Sequence, residues 1–376
     1  MPRLFLTRAS QGKRIIFWTL FCAVISQPAL SLYLDKRRLE VRDPLYGHRL
    51  NHLRRRLAES PHSPLFLILG SSRVKYSIRP AAMKIHYVEN ASQPIVYNFG
   101  INGMGTIRAL MHFRRLLADG IRPKWLLVEI WPPLWAEAGF FRESRMVQGE
   151  DDQHWRDLLL LCRYFRNDRD VLRQALQKSF TPLRAYRDVL LALSMQSLLP
   201  PENLCEFQKR INDSLPADSG GWFPLPWEST TPQEDDFAHR DGEENIKPLL
   251  QSLHIDPRSD AALRELLQEC RRRDIQLALI LLPEPSWTRS WYTPQTHTVV
   301  REYLIRLRRD YPVPIIDART WVSDDDFSDS THMRKKGVPA FSERLGRDVV
   351  QPMIKNQPFD AKILFPGVGQ KLCEEH

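Results

Sequence analysis

Five short apolar runs, Pro64–Leu69, Ile95–Phe99, Trp125–Ile130, Ile275–Leu282 and Val313–Ile316, are continuous rather than alternating in hydrophobicity. That pattern predicts strands buried on both faces, as in a parallel sheet. Between the second and third runs, Thr106 to Ala118 carries Ile107, Leu110, Met111, Phe113, Leu116 and Leu117 at helical spacing, and Gly120 supplies a stop. Ser259–Arg273 and Thr298–Arg309 repeat the helical pattern before the fourth and fifth runs. Strands alternating with helices imply an α/β fold, a doubly wound five-stranded parallel sheet of flavodoxin-like type. Catalytic groups in such sheets gather at the carboxyl ends of the strands.

The strand pattern lapses between residues 138 and 253. Helical stretches at Trp155–Phe165, Asp170–Lys178 and Leu183–Leu198 precede a Pro-, Gly-, Ser- and Asp-rich stretch from Pro200 to Asp241, which reads as a long loop. Its aromatic segment Trp222–Trp227 either covers a site or packs on the core. The expected organisation is a core of residues 61–137 and 254–356, a helical insertion with a long loop at 138–253, and a peripheral tail at 357–376.

The longest apolar run is Ile15–Leu34, about the twenty residues needed to cross a bilayer, weakened by Ser26, Gln27 and Pro28. A basic tail at 1–14 precedes it and a basic segment at 35–60 follows. The arrangement suits a signal-anchor or a cleaved signal peptide; the poor small-residue cleavage pattern favours the transmembrane anchor. Four basic residues precede the run and eight lie between Lys36 and Arg56, so charge alone puts the body on the cytoplasmic side.

Hydrophobic residues at 43% and charged residues at 26% are ordinary globular usage. The net charge of +9 raises nucleic acid as a partner, but the arginines are scattered over helical faces without a recognition motif. Lys36–Arg38 and Arg54–Arg56 follow the apolar run, where anionic headgroups are the natural partner; Arg271–Arg273 read as a solvated face. The five cysteines, Cys22, Cys162, Cys205, Cys270 and Cys373, form no CxxC pair and lie near no histidine at ligand spacing, so neither a metal nor a redox cofactor is expected.

Chemistry-bearing residues stand at strand ends. The first run closes in Gly70-Ser71-Ser72-Arg73, where a tight turn can lift a hydroxyl above the sheet. Asp329-Ser330-Thr331-His332 follows the last run, a spacing that lets a carboxylate accept Nδ1–H and leaves Nε2 free to take a serine proton. Asn98-Phe99-Gly100-Ile101-Asn102-Gly103 follows the second run.

In this order of blocks the chain resembles the SGNH (GDSL-like) hydrolases, over about a third of its length. The resemblance implies Ser72 as nucleophile with His332 and Asp329, and an oxyanion and substrate-binding set of Gly103, Asn98 and Asn102. Ser71 replaces the first block's usual aspartate. The third block departs further: where the family shows Gly-x-Asn-Asp after the third strand, Trp131-Pro132-Pro133-Leu134 follows Leu127–Ile130. An asparagine oxyanion donor is worth about 3–4 kcal/mol, so its loss requires compensation, for which Asn102 is the candidate.

The resemblance is nearest to membrane-anchored extracytoplasmic members. It implies a serine esterase or O-acyltransferase acting on an acyl ester, with a cell-surface glycan as the expected substrate class. The alternative is a catalytically degenerate scaffold that binds a glycan or assembles with a multi-span membrane acyltransferase. The body is therefore expected outside the cytoplasm, against the charge rule. Reporters fused to the C-terminus should be active when they require export; activity only of cytoplasmic reporters would reverse the assignment.

Overall fold

The computed structural model describes residues 3–85, 93–149, 154–228 and 231–365. The chain divides into two compact units, residues 49–146 with 215–376 and residues 1–48 with 147–214.

The larger unit is built on a five-stranded, all-parallel sheet. Its strands are β1 (Leu65–Gly70), β2 (Ile95–Gly100), β3 (Trp125–Glu129), β4 (Gln276–Leu281) and β5 (Ile315–Asp317), in the order β2-β1-β3-β4-β5. Each coincides with one of the five apolar runs to within two residues at either end. The continuity of those runs has a direct cause: every residue of β1, β2 and β3 is buried. Phe66, Ile68, Val96, Leu127, Ala278, Ile280 and Ile316 share one core with Val338, Phe341 and Leu345 of the helix Val338–Leu345. Strand residues of opposite parity, among them Leu67, Leu69, Leu126 and Leu279, are equally buried.

The helix Thr106–Ala118 packs beside Pro257–Arg272, and Ile107, Leu110, Phe113 and Leu116 form its buried stripe. The chain moves from β1 outward to β2, then crosses back over β1 to β3. That reversal puts the switch point, where open α/β sheets receive ligands, between the carboxyl ends of β1 and β3.

Both sheet edges are covered, which removes the unpaired backbone that an edge strand would otherwise present. On β2, the Asn98 N–H donates to Gly220 O at 2.8 Å, and on β5 the Phe365 N–H donates to Ile315 O at 3.0 Å. The segment Leu364–Phe365 was expected in a peripheral tail; it instead bridges Ile316 in antiparallel fashion and buries Phe365.

The stretch read as one loop from Pro200 to Asp241 contains two helices, Pro201–Ser214 and Pro232–Asn245. Proline opens each, and Thr231 and Glu234 form a capping box on the second, so residues counted as loop formers are here helix starters. The expected insertion divides: 147–214 belongs to the smaller unit, and 138–146 and 215–253 to the larger. Leu183–Leu198, read as one helix, is three pieces, Pro182–Ala185, Arg187–Ser194 and Gln196–Leu198.

In the smaller unit the N-terminal helix runs Arg3–Arg37, and its stretch Gly12–Arg37 is long and apolar enough to span a membrane. At 1.5 Å per residue those 26 residues extend about 39 Å. Ile15, Phe17, Leu20 and Val24 are exposed, whereas Ser31, Leu34 and Asp35 are buried. Arg42 closes over that end: its Nε lies 2.6 Å from Asp35 Oδ1, and its Nη1 donates to Ser31 Oγ at 2.9 Å. Leu34, Val41 and Tyr186 pack together there, with Leu30, Val189 and Leu190 against them. Cys22, Cys162, Cys205 and Cys270 are free thiols, and Cys373 lies outside the described residues.

Candidate active site

The turn after β1 is shaped by a carboxylate beneath it. A Cβ on Gly70 would lie 2.6 Å from Glu129 Oε2, so glycine alone admits this approach. The Ser71 N–H donates to that oxygen at 2.6 Å. Ser71 then acts as N-cap of the short helix Ser72–Ser77: its Oγ accepts the Arg73 N–H at 3.2 Å and its carbonyl the Lys75 N–H at 3.0 Å. Ser72 is thus the first helical residue. Ser71 thereby fixes the start of the helix that carries Ser72.

Asn98 is fully buried and braces the other end of that helix. Its amide donates to Val74 O at 2.8 Å and Ile78 O at 2.6 Å, and its Oδ1 accepts the Gly100 N–H at 2.9 Å. The side chain grouped with the oxyanion and substrate-binding residues is occupied in holding the helix Ser72–Ser77 against β2.

The partner loop is folded locally. Phe327 and Met333 form an antiparallel bridge, and the Ser328 N–H donates to His332 O at 2.9 Å. Within this loop Asp329 Oδ1 accepts the N–H groups of Thr331 and His332, both at 2.7 Å, and the Thr331 hydroxyl at 3.0 Å. Asp329 Oδ2 faces His332 Nδ1 at 2.8 Å, and His332 Nε2 faces Ser72 Oγ at 2.8 Å. A carboxylate can only accept from Nδ1–H, which leaves Nε2 unprotonated to receive the serine hydrogen. Burial would raise the Asp329 carboxyl. The charge and hydrogen bond of His332, with the two backbone N–H groups, outweigh that and hold it well below the usual carboxylate range. Tyr76 and Trp227 meet the imidazole edge-on, with ring centroids 5.8 and 5.5 Å away.

Arg73, 2% exposed, lies next to the serine. Its Nη2 donates to Leu282 O at 3.0 Å and Pro283 O at 2.8 Å, and its Nη1 lies 3.4 Å from Glu129 Oε1. Glu284 Oε1 is 3.9 Å from the same guanidinium and accepts Trp131 Nε1–H and the Tyr292 hydroxyl, each at 3.0 Å. Burial, then the charge of Glu284, pushes the Tyr292 phenol well above its ordinary value. Trp131, two residues beyond the end of β3, lies under the guanidinium at 4.8 Å from ring centroid to Cζ. Pro132–Leu134 after it form a turn of 3-10 helix.

Gly103 has φ +62°, a conformation suited to glycine. Among the described residues neither its N–H nor that of Ser72 meets an acceptor. Asn102 Oδ1 is buried without a hydrogen-bond partner, and its backbone carbonyl accepts Arg108 Nη1 at 2.6 Å.

Ser72, His332 and Asp329 are therefore one hydrogen-bonded series drawn from the two ends of the sheet sequence. Arg73, Glu129, Glu284 and Tyr76 were not singled out by sequence reasoning, whereas Trp227 lies in the aromatic segment read as covering a site or packing on the core. Glu129 carried a signal: an ionisable residue inside a strand buried on both faces requires a partner. No protein-family model matches the chain, and no curated protein matches it significantly.

Replacing Glu129 by alanine leaves the Arg73 charge buried beside a carboxylate 3.9 Å away. The expected loss is about 3 kcal/mol or more in denaturant unfolding of the micelle-solubilised chain. Glu129→Gln, which keeps an acceptor for the Ser71 N–H, should lose less; equal stability of all three proteins would dismiss the role.

Proposed function

We propose that the chain is an SGNH-like serine esterase or O-acyltransferase tethered to a membrane by its N-terminal helix, with the body outside the cytoplasm. The observation that carries this reading is the unbroken series Ser72 Oγ, His332 Nε2, His332 Nδ1, Asp329 Oδ2, with 2.8 Å at both the Ser–His and His–Asp links. It stands beside the carboxyl end of β1, at the switch point of the sheet.

In this mechanism His332 Nε2 takes the Ser72 proton as Oγ bonds to the acyl carbonyl carbon. The carbonyl electrons move to oxygen, where the unengaged N–H groups of Ser72 and Gly103 are the donors. Collapse breaks the bond to the leaving alkoxide, which receives the proton from His332. Water, or a hydroxyl of an acceptor, then enters by the reverse sequence and frees Ser72. Asp329 holds the imidazole in the required tautomer and stabilises the imidazolium. An acyl ester of a cell-surface glycan is the substrate class, in keeping with a body outside the membrane.

The second reading, a scaffold that binds a glycan or a multi-span membrane acyltransferase without turnover, is favoured by Trp131. It stands in place of the third-block asparagine and is committed to Glu284 and Arg73.

A fluorophosphonate probe should label the full chain and fail to label Ser72→Ala; equal labelling would defeat the nucleophile assignment. Loss of labelling in wild type together with glycan retention by Ser72→Ala would select the binding scaffold.

Because the Asp329 carboxyl is held well below the usual carboxylate range, its charge persists through the acid range in which an ordinary carboxylate is neutralised and is lost only on stronger acidification. Hydrolysis of an aryl ester should therefore fall on the acid side with a slope of one proton, and Asp329→Asn should lower kcat by a factor on the order of 10²–10⁴. A two-proton acid limb would contradict the arrangement.

A further inference from the structure

We propose that the smaller unit carries a second membrane contact, in which Leu176, Phe180 and Leu183 insert into the headgroup–acyl boundary of an anionic bilayer beside the N-terminal helix. On the helix Arg169–Phe180, the residues Val171, Ala175 and Ser179 are buried. Arg169, Arg173, Leu176 and Phe180 recur at intervals of four, three and four residues and so share another face. Leu176 and Phe180 on it are 48% and 55% exposed, and Leu183, just beyond, is 50% exposed.

Their depth follows from one hydrogen bond. The Leu183 N–H donates to the side chain of Gln27 at 3.3 Å, and both the Arg169–Phe180 and Pro182–Ala185 helices contact the N-terminal helix. That helix is exposed from Ile15 to Ile25, and protein covers one of its faces from Ser31 onward, where Ser31, Leu34 and Asp35 are buried while Leu32 and Tyr33 stay exposed. The bilayer boundary is set near Leu30, where that cover begins. About twenty residues fill the hydrocarbon thickness. Counted back from Leu30 they end near Gln11, next to Lys13 and Arg14, whose long side chains reach the far headgroups. Gln27 then lies three residues, about 5 Å, inside the boundary, and Leu183 with it. This is the depth at which the apolar face of an interfacial helix sits.

The occupant is lipid rather than a protein partner because Leu183 is hydrogen-bonded to the apolar N-terminal helix itself and the stripe ends in cations. Arg169, Arg173 and Arg184 are exposed, where phosphate headgroups would meet them. The inference presumes that the N-terminal helix spans the membrane and is independent of the catalytic assignment.

Nitroxide labels at positions 176, 180 and 183, in the full chain with its native cysteines replaced by serine, would be compared in nanodiscs of phosphatidylglycerol and phosphatidylcholine. Val24 serves as lipid reference and Asp188 as aqueous reference. Collision with oxygen should exceed collision with a water-soluble nickel chelate at 180 and 183, as at 24, and the order should invert at 188. Chelate-dominated collision at 180 and 183, with 24 still lipid-like, would overturn the second contact alone. Shielding of those sites from both relaxants would overturn it in favour of a protein partner. An aqueous signal at 24 would overturn the spanning helix and the contact together.

Discussion

A guanidinium that water does not reach governs the rim of this sheet. Arg73 follows the proposed nucleophile directly, and its charge is met by Glu129 at the end of β3, by Glu284 after β4, and by the carbonyls of Leu282 and Pro283. Two residues before Arg73, the Ser71 N–H is tied to the other oxygen of Glu129. Ser72 therefore stands between two residues whose displacement would leave a buried charge or donor unpaired. The penalty for breaking such a pair is several kcal/mol, larger than the cost of any single rotamer change at the serine. The ends of β1, β3 and β4 are held as one piece by these buried contacts.

Much of this was legible from the order of residues. Continuous apolar runs gave the strands because burial on both faces leaves no polar alternation to interpret, and the tight local spacing of Asp329 and His332 gave a loop in which one carboxylate could serve one imidazole. The union of Ser72 with that loop depends on strand order, which a single sequence does not encode in its periodicity. Asn98 illustrates a different gap. Family resemblance grouped it with the oxyanion and substrate-binding residues, yet its amide is spent on Val74 and Ile78, a contact across some twenty residues with no local signature. The helices Pro201–Ser214 and Pro232–Asn245 were hidden for a third reason. Their opening prolines were read as breakers, although at the first helical turn proline has no hydrogen bond to lose.

The segment after the second unit's helices reaches the same rim. Asp218 Oδ1 accepts the Gly220 N–H at 3.0 Å, and Trp222 Nε1–H donates to Tyr76 O at 2.8 Å from within the core. Arg49, itself buried, donates to Asn98 O at 2.6 Å and lies between the rings of Phe99 and Phe223. These contacts carry the chain to Trp227, which is 48% exposed and stands edge-on to His332. The aromatic stretch therefore does two jobs along its length: Trp222 fills the interior, and Trp227 forms a wall beside the imidazole.

Asp329 and His332 share a single short loop whose carboxylate is fastened to its own backbone, so the acid and the base travel together when the molecule fluctuates. Only the gap to the serine hydroxyl joins parts of the chain far apart in sequence. A shift of the loop Phe327–Met333 against the turn after β1 would therefore change the Ser72–His332 separation while leaving that of His332 and Asp329 intact.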